Sequence, residues 1–174
     1  MFVVPNEMLV IRDARPSERD AIAGLTLRAY GEYATIMDPL AWAGLESAIN
    51  AALTSTERIE RIVAEDDGEI VGSVLLFPPA MQAYAFSEER ALSPELRLLA
   101  VAPEARGKGV GEALVNECIR RAKAIGAHEL GLHTSRSMRS AMRLYERMGF
   151  VRAPERDFHP PGTEIVEGYR LPLD

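Results

Sequence analysis

Three glycines at alternate positions, Gly107, Gly109 and Gly111, follow closely on an apolar run of strand character over residues 96–101 that ends at Pro103. Arg106 and Lys108 are interleaved with them, and a long amphipathic stretch begins at once. Strand, glycine loop and helix in that order form the layout of a phosphate cradle. Glycine lets the backbone turn tightly and approach an anion closely. The free N–H groups of a helix start and the positive end of its dipole attract the anion. Arg106 and Lys108 add whole charges. The alternative is a glycine-rich turn without a ligand.

Spacing narrows the kind of phosphate. A P-loop needs Gly, four residues, then Gly-Lys-Ser/Thr, but Lys108 is followed by Gly109, so no hydroxyl is placed for magnesium. A dinucleotide Gly-x-Gly-x-x-Gly begun at Gly107 or Gly109 would need glycine where Glu112 or Leu114 stands. A nucleotide-binding αβ protein is disfavoured on both counts. The pattern that fits is Arg106-x-x-Gly109-x-Gly111, over the segment Arg106, Gly107, Lys108, Gly109, Val110 and Gly111.

The rest of the chain reads as one domain over residues 1–174, long enough to bury a core without staples. A net charge of −6 argues against a nucleic-acid partner. The single cysteine, Cys118, allows no intramolecular disulfide and fits a reducing compartment. The first residues lack a basic n-region, and no apolar run approaches a membrane span, so the expectation is a cytoplasmic chain with no membrane partner. No Cys/His/Asp/Glu cluster has ligand spacing, so no metal is expected.

Periodicity predicts strands over 8–13, 58–65, 69–77, 96–101, 128–134, 150–156 and 164–171, with Asp66-Asp67-Gly68 as a hairpin turn. Helices are predicted from Ser17, with Asp20 completing a capping box, to Tyr30-Gly31, and again from Asp38-Pro39. The helix after the glycines puts Val110, Ala113, Leu114, Cys118, Ala122 and Ile125 on one face. Ser135 or Ser137 can cap a last helix whose inner face is Ala141, Leu144, Tyr145 and Met148. Residues 80–92 have no period and read as a long loop. The order is β-α-α-β-β-β-α-β-α-β-β, an α/β fold with a mixed sheet and helices on both faces.

That order, together with Arg106-x-x-Gly109-x-Gly111 and Ala141-x-x-Leu144-Tyr145-x-x-x-Gly149-Phe150, resembles the GCN5-related N-acetyltransferase (GNAT) family over nearly the whole chain. One position departs. Three residues before Ala141, where many members carry an asparagine that contacts the pantetheine arm, stands Met138. The resemblance implies a splayed sheet and acetyl-CoA as co-substrate. Its pyrophosphate would lie on the backbone from Arg106 to Gly111. Its arm would add to the strand at Leu99, Ala100 and Val101, like an extra strand, and pass Tyr145. The acceptor would be a small-molecule or peptide amine, attacking directly in a ternary complex. Family members often dimerise, which extends a homodimer expectation to this chain.

The chemistry needs a neutral amine, whereas a free alkyl amine has a pKa of about 10.4. Glu95, six residues before Val101, stands where the histone-acetyltransferase branch places its base; the alternative is a solvated carboxylate at a strand start. A backbone N–H near Leu99 would serve the oxyanion. Tyr145 would protonate the leaving thiolate, or it is a core tyrosine. Tyr30, Tyr33 and Trp42 form either helix packing or a substrate wall. Cys118 reads as core. His133 reads as a core or surface histidine, and Asp157 and His159 as a loop near the acceptor. The competing function is a non-catalytic acyl-CoA sensor on the same cradle.

Overall fold

The structure is a computed structural model that describes residues 8–55, 58–79, 93–160 and 164–174. Its elements follow the expected order: β1 (Leu9–Asp13), α1 (Arg19–Gly31), α2 (Pro39–Thr54), β2 (Glu60–Asp66), β3 (Glu69–Phe77), β4 (Glu95–Val101), α3 (Val110–Ala124), β5 (Glu129–Ser135), α4 (Arg139–Arg147), β6 (Val151–Arg152) and β7 (Val166–Pro172). The loop expected over 80–92 lies outside the described residues.

Local chemistry explains most boundaries. The β2–β3 hairpin turns through Asp67 (φ 51°) and Gly68 (φ 82°), the paired positive angles of a primed turn that follows strand twist. At the start of α2, Asp38 accepts from the Leu40 N–H at 2.8 Å, and Pro39 fills the first helical position. Three expected caps and strand bounds are corrected. Ser17 and Asp20 form no capping box: Pro16–Glu18 is a 3-10 turn, and Glu18 accepts the Arg15 N–H at 2.7 Å. Glu18 also takes two hydrogen bonds from Arg12, and a charge-assisted pair outcompetes a neutral hydroxyl cap. Neither Ser135 nor Ser137 caps α4, which starts after Met138; Ser137 donates to Glu164 at 2.6 Å instead. The strand expected over 150–156 shrinks to β6, because Pro154 lacks an N–H and opens a 3-10 turn.

The strands form one sheet in the order β1-β2-β3-β4-β5-β7-β6. All neighbours are antiparallel except β4 and β5, which run parallel and pair only at Glu95 opposite Gly131. There the Gly131 N–H donates to the Pro94 carbonyl at 2.9 Å. On its other edge β4 carries a bulge: Ser73 pairs with Ala100 and Leu75 with Arg97, and Leu98 sits at φ 53°. An extra residue bends its strand and raises the local twist. β4 therefore veers from β5 just past their single pair, and a wedge-shaped cleft opens between them.

Alternation along the strands sends successive side chains to opposite faces. Ile62, Ala64, Val74 and Leu76 belong to the larger core, with Leu114, Val115, Cys118 and Ala122 of α3. Val63 faces the other way, against Ile22 of α1 and Ile49 and Leu53 of α2. Each such fully buried aliphatic side chain contributes about 1.5–3 kcal/mol over leaving it in water. These two layers hold both walls of the cleft. Ile125 does not join the α3 stripe; the helix ends at Ala124, and Ile125 is 64 % exposed.

Candidate active site

The open end of the cleft is the glycine loop. After β4 the chain makes a 3-10 turn, Pro103–Ala105, and then an extended Arg106. Gly107 and Gly109 follow at φ 77° and 80°. A Cβ at either would meet nothing within 4 Å, so backbone angle, and not crowding, demands glycine there. Gly111 serves close approach: a Cβ would stand 3.2 Å from Leu144 Cδ2, which seats the first turn of α3 against α4. No side chain caps the start of α3. The N–H groups of its first turn thus remain for an anion, supported by the helix dipole.

A groove of about 500 Å³ runs from this loop along β4. Leu99, Ala100 and Val101 form one wall, and Gly107, Gly109, Val110 and Gly111 its head. Met138, Ala141 and Leu144 of α4 lie across from them. Met138 thus occupies the groove as a flexible thioether where an amide would have offered hydrogen bonds. The two interleaved cations are placed differently from each other. Lys108 is exposed and off the groove wall. Arg106 lines the groove, but its guanidinium donates to Glu32 at 2.8 Å and to the Ala29 carbonyl at 3.3 Å, tying the loop to the end of α1. The donors that this loop leaves uncommitted are therefore chiefly backbone N–H groups. Arg147, unremarked in the sequence, lines the groove from the end of α4.

Tyr145 is 5 % exposed and packs edge-on against Phe150, with ring centroids 5.6 Å apart. Its neighbour Leu144 forms the groove wall. Tyr30 and Tyr33 line the groove and meet edge-to-face at 5.8 Å, and burial pushes both phenols above their usual pKa; Trp42 sits on α2, outside the groove. Cys118 is fully buried in the core, and burial pushes its thiol up to about 12, which keeps it a protonated packing group.

At the closed end, where β4 and β5 touch, stands Glu95. It is 5 % exposed, not the solvated strand-start carboxylate that sequence left open. Its Oε1 lies 2.5 Å from Nδ1 of His133 on β5, and Nε2 of the same ring lies 2.8 Å from the Arg156 carbonyl. A carbonyl only accepts, so Nε2 carries a proton and donates it. Phe158 packs on the imidazole at 5.2 Å between centroids. Oε2 of Glu95 is buried, without a hydrogen-bond partner among the described residues. The sequence reads His133 as a core or surface histidine and does not join it to Glu95, since the pair is 38 residues apart and only strand register brings it together. Asp157 does not reach over an acceptor: Arg152 and the Gly168 N–H hold it, and the Arg152 hydrogen bond pulls its carboxyl below the usual range.

The chain matches the model of the acetyltransferase (GNAT) family over residues 27–150. It is 34% identical over 140 residues to an uncharacterized N-acetyltransferase of Bacillus subtilis, covering 80% of this chain and 88% of that one. Among solved structures, the fold is similar to a histone acetyltransferase HPA2-related acetyltransferase of Corynebacterium glutamicum, with a TM-score of 0.69 and 22% identity over 96% of this chain and 97% of that one. It is also similar to a Salmonella typhimurium acetyltransferase solved with acetyl-CoA, with a TM-score of 0.63 and 20% identity over 97% and 95% of the two chains. These matches bear out the order of elements and the mixed sheet, and they support an acyltransferase enzyme. The glycine cradle, the parted strands and the match over most of the chain lead to one conclusion: the protein belongs to the GNAT acetyltransferase family.

Proposed function

We propose that the protein moves the acetyl group of acetyl-CoA to a primary amine of a small-molecule or peptide acceptor, by direct attack in a ternary complex. One observation carries this reading: β4 has at one end, beside the groove, a positive-φ glycine loop with an uncapped helix start, and at the other, where it pairs with β5, a buried carboxylate. The residues fit the co-substrate, because an open, positive-φ loop at an uncapped helix start suits a pyrophosphate. Residues 106–111 would hold that pyrophosphate. The main chain of Leu99, Ala100 and Val101 would receive the pantetheine amides, as an unpaired strand edge receives an added strand. Acetyl-CoA supplies an activated acyl thioester.

The chain's own groups do the rest. Glu95 takes a proton from the arriving ammonium, which otherwise stays charged and unreactive near neutral pH. A backbone N–H beside the bulge, near Leu99, stabilises the oxyanion. Tyr145 donates to the departing thiolate. The test is thiol release from acetyl-CoA with a panel of polyamines, amino acids, aminoglycosides and peptide N-termini. Amine-dependent release, with acetylated amine as product, is expected for at least one class. Tight acetyl-CoA binding with no release across the panel would contradict the proposal.

A further inference from the structure

We infer that Glu95 and His133 operate as one proton-sharing pair, in which His133 is a positioning residue that keeps Glu95 ready to accept a proton at Oε2. The inference rests on the reading of Glu95 as base and adds a residue to it. Three facts carry it. Nε2 of His133 donates to the Arg156 carbonyl, which fixes the ring and turns Nδ1 toward Glu95. Nδ1 and Oε1 stand at 2.5 Å, a distance that requires one proton between them. Oε2 is buried and has no hydrogen-bond partner among the described residues, so of the two oxygens it is the one left open by His133. The charged groups around the pair among the described residues already have partners. Asp157 pairs with Arg152, the Arg156 guanidinium with Glu129, and that of Arg97 stacks on Phe77.

The pair holds one proton in the resting state, and its net charge is zero wherever that proton sits. An ammonium acceptor gives its proton to Oε2, and the pair then holds two. The neutral nitrogen attacks the acetyl carbon; the C–N bond forms and the C–S bond breaks. Tyr145 gives its proton to the thiolate, the nitrogen's second proton restores it, and the pair returns its extra proton to solvent. Without His133, the buried carboxylate loses its one donor among the described residues, and the burial that remains favours the neutral acid over the anion. Protonated Glu95 cannot act as base, so loss of His133 moves activity toward alkaline pH and does not simply lower it.

The test is the pH profile of kcat/KM for the parent, His133→Phe, His133→Asn and Glu95→Gln, with acetyl-CoA affinity measured on each. We expect the acid limb of His133→Phe to move up by about one pH unit or more. Asparagine, which can offer Glu95 a neutral N–H, should return it at least halfway. An unmoved limb in a folded His133→Phe, or equal limbs in Phe and Asn, overturns the pair. Glu95→Gln separates the two claims. Loss of its acid limb with an unmoved limb in His133→Phe leaves the base and removes the pair, whereas an intact limb in Glu95→Gln removes the base itself. Should His133→Phe fail to fold, proton NMR of the parent decides. A far-downfield proton on His133 Nδ1 that disappears in Glu95→Gln supports the pair, and its absence in the folded parent at every pH overturns it.

Discussion

The two ends of the cleft are made of different material. The open end is backbone: two glycines at positive φ, a third in close contact with Leu144, and an uncapped helix start, all within six consecutive residues. It faces solvent, and it draws little on side-chain charge because Arg106 is engaged with Glu32. The closed end is side chain: a carboxylate, an imidazole and a carbonyl that come from β4, β5 and the turn before Phe158. It is buried, and its parts lie 38 and 23 residues apart in the chain. Holding an anion needs N–H groups in a fixed curve, which a short loop can supply alone. Moving a proton needs a group shielded from water with a partner at hydrogen-bond distance, which only the assembled sheet supplies.

If the ends divide the work in this way, damage to each should have its own kinetic signature. The largest expected effect is at the closed end. Glu95→Gln should lower turnover about 10²–10⁴-fold, with acetyl-CoA affinity nearly intact. The loss should be greatest at low pH and shrink as the amine arrives neutral. A turnover loss of less than about threefold at every pH would mean that another group removes the proton.

The open end should answer in affinity. Gly109→Asp puts a side chain at φ 80° and a negative charge into the anion cradle, and acetyl-CoA binding should weaken by well over about tenfold. Gly109→Ala carries only the backbone cost, about 1–2 kcal/mol, so calorimetry on both folded variants isolates the charge. Equal losses would place the anion elsewhere.

Tyr145→Phe sharpens the boundary between the ends. The ring stays packed on Phe150, so the fold and acetyl-CoA affinity should hold. Turnover should fall by about 2–12-fold, the equivalent of one hydrogen bond worth about 0.5–1.5 kcal/mol made in the transition state. The loss should shrink for an acyl donor with a more acidic leaving thiol. The same loss with both donors, or none with either, would make Tyr145 a core residue only.

The smallest effect lies outside the cleft. Hydrogen bonds from Arg120, and then Arg121, lower the Glu117 carboxyl from 4.5 to about 2. A depressed folded pKa stabilises above the unfolded value and loses that contribution as pH falls through about 2. Glu117→Gln should therefore be less stable than the parent at pH 7, by chemical denaturation, and approach it near pH 2. Its turnover per folded molecule should be unchanged; a change would show that the cleft feels the far end of α3.

The same contrast explains how much could be read from the chain. The cradle, the Asp67-Gly68 turn and the Asp38-Pro39 helix start were legible because each is a local rule about φ or a nearby N–H. The capping of α1 was not, because Arg12 reaches Glu18 from another strand position and displaces the hydroxyl solution. The short β6 follows from Pro154 and was readable in principle, but strand-like flanks masked it. His133 carried no local signal. A histidine in an alternating strand meets a carboxylate 38 residues away only when register sets it beside Glu95. The parting of β4 from β5 likewise depends on a bulge at Leu98, where a branched aliphatic residue takes a positive φ that no propensity would assign.

The most direct test of the central claim, that this cleft holds acetyl-CoA on backbone N–H groups, is amide hydrogen exchange with and without saturating acetyl-CoA. Exchange should slow in peptides covering residues 98–101 and 106–112 and remain unchanged in the β1–β2 pair, on the far side of the sheet. Uniform protection along the chain, or unaltered exchange over 106–112 under conditions where the thioester is bound, would contradict it.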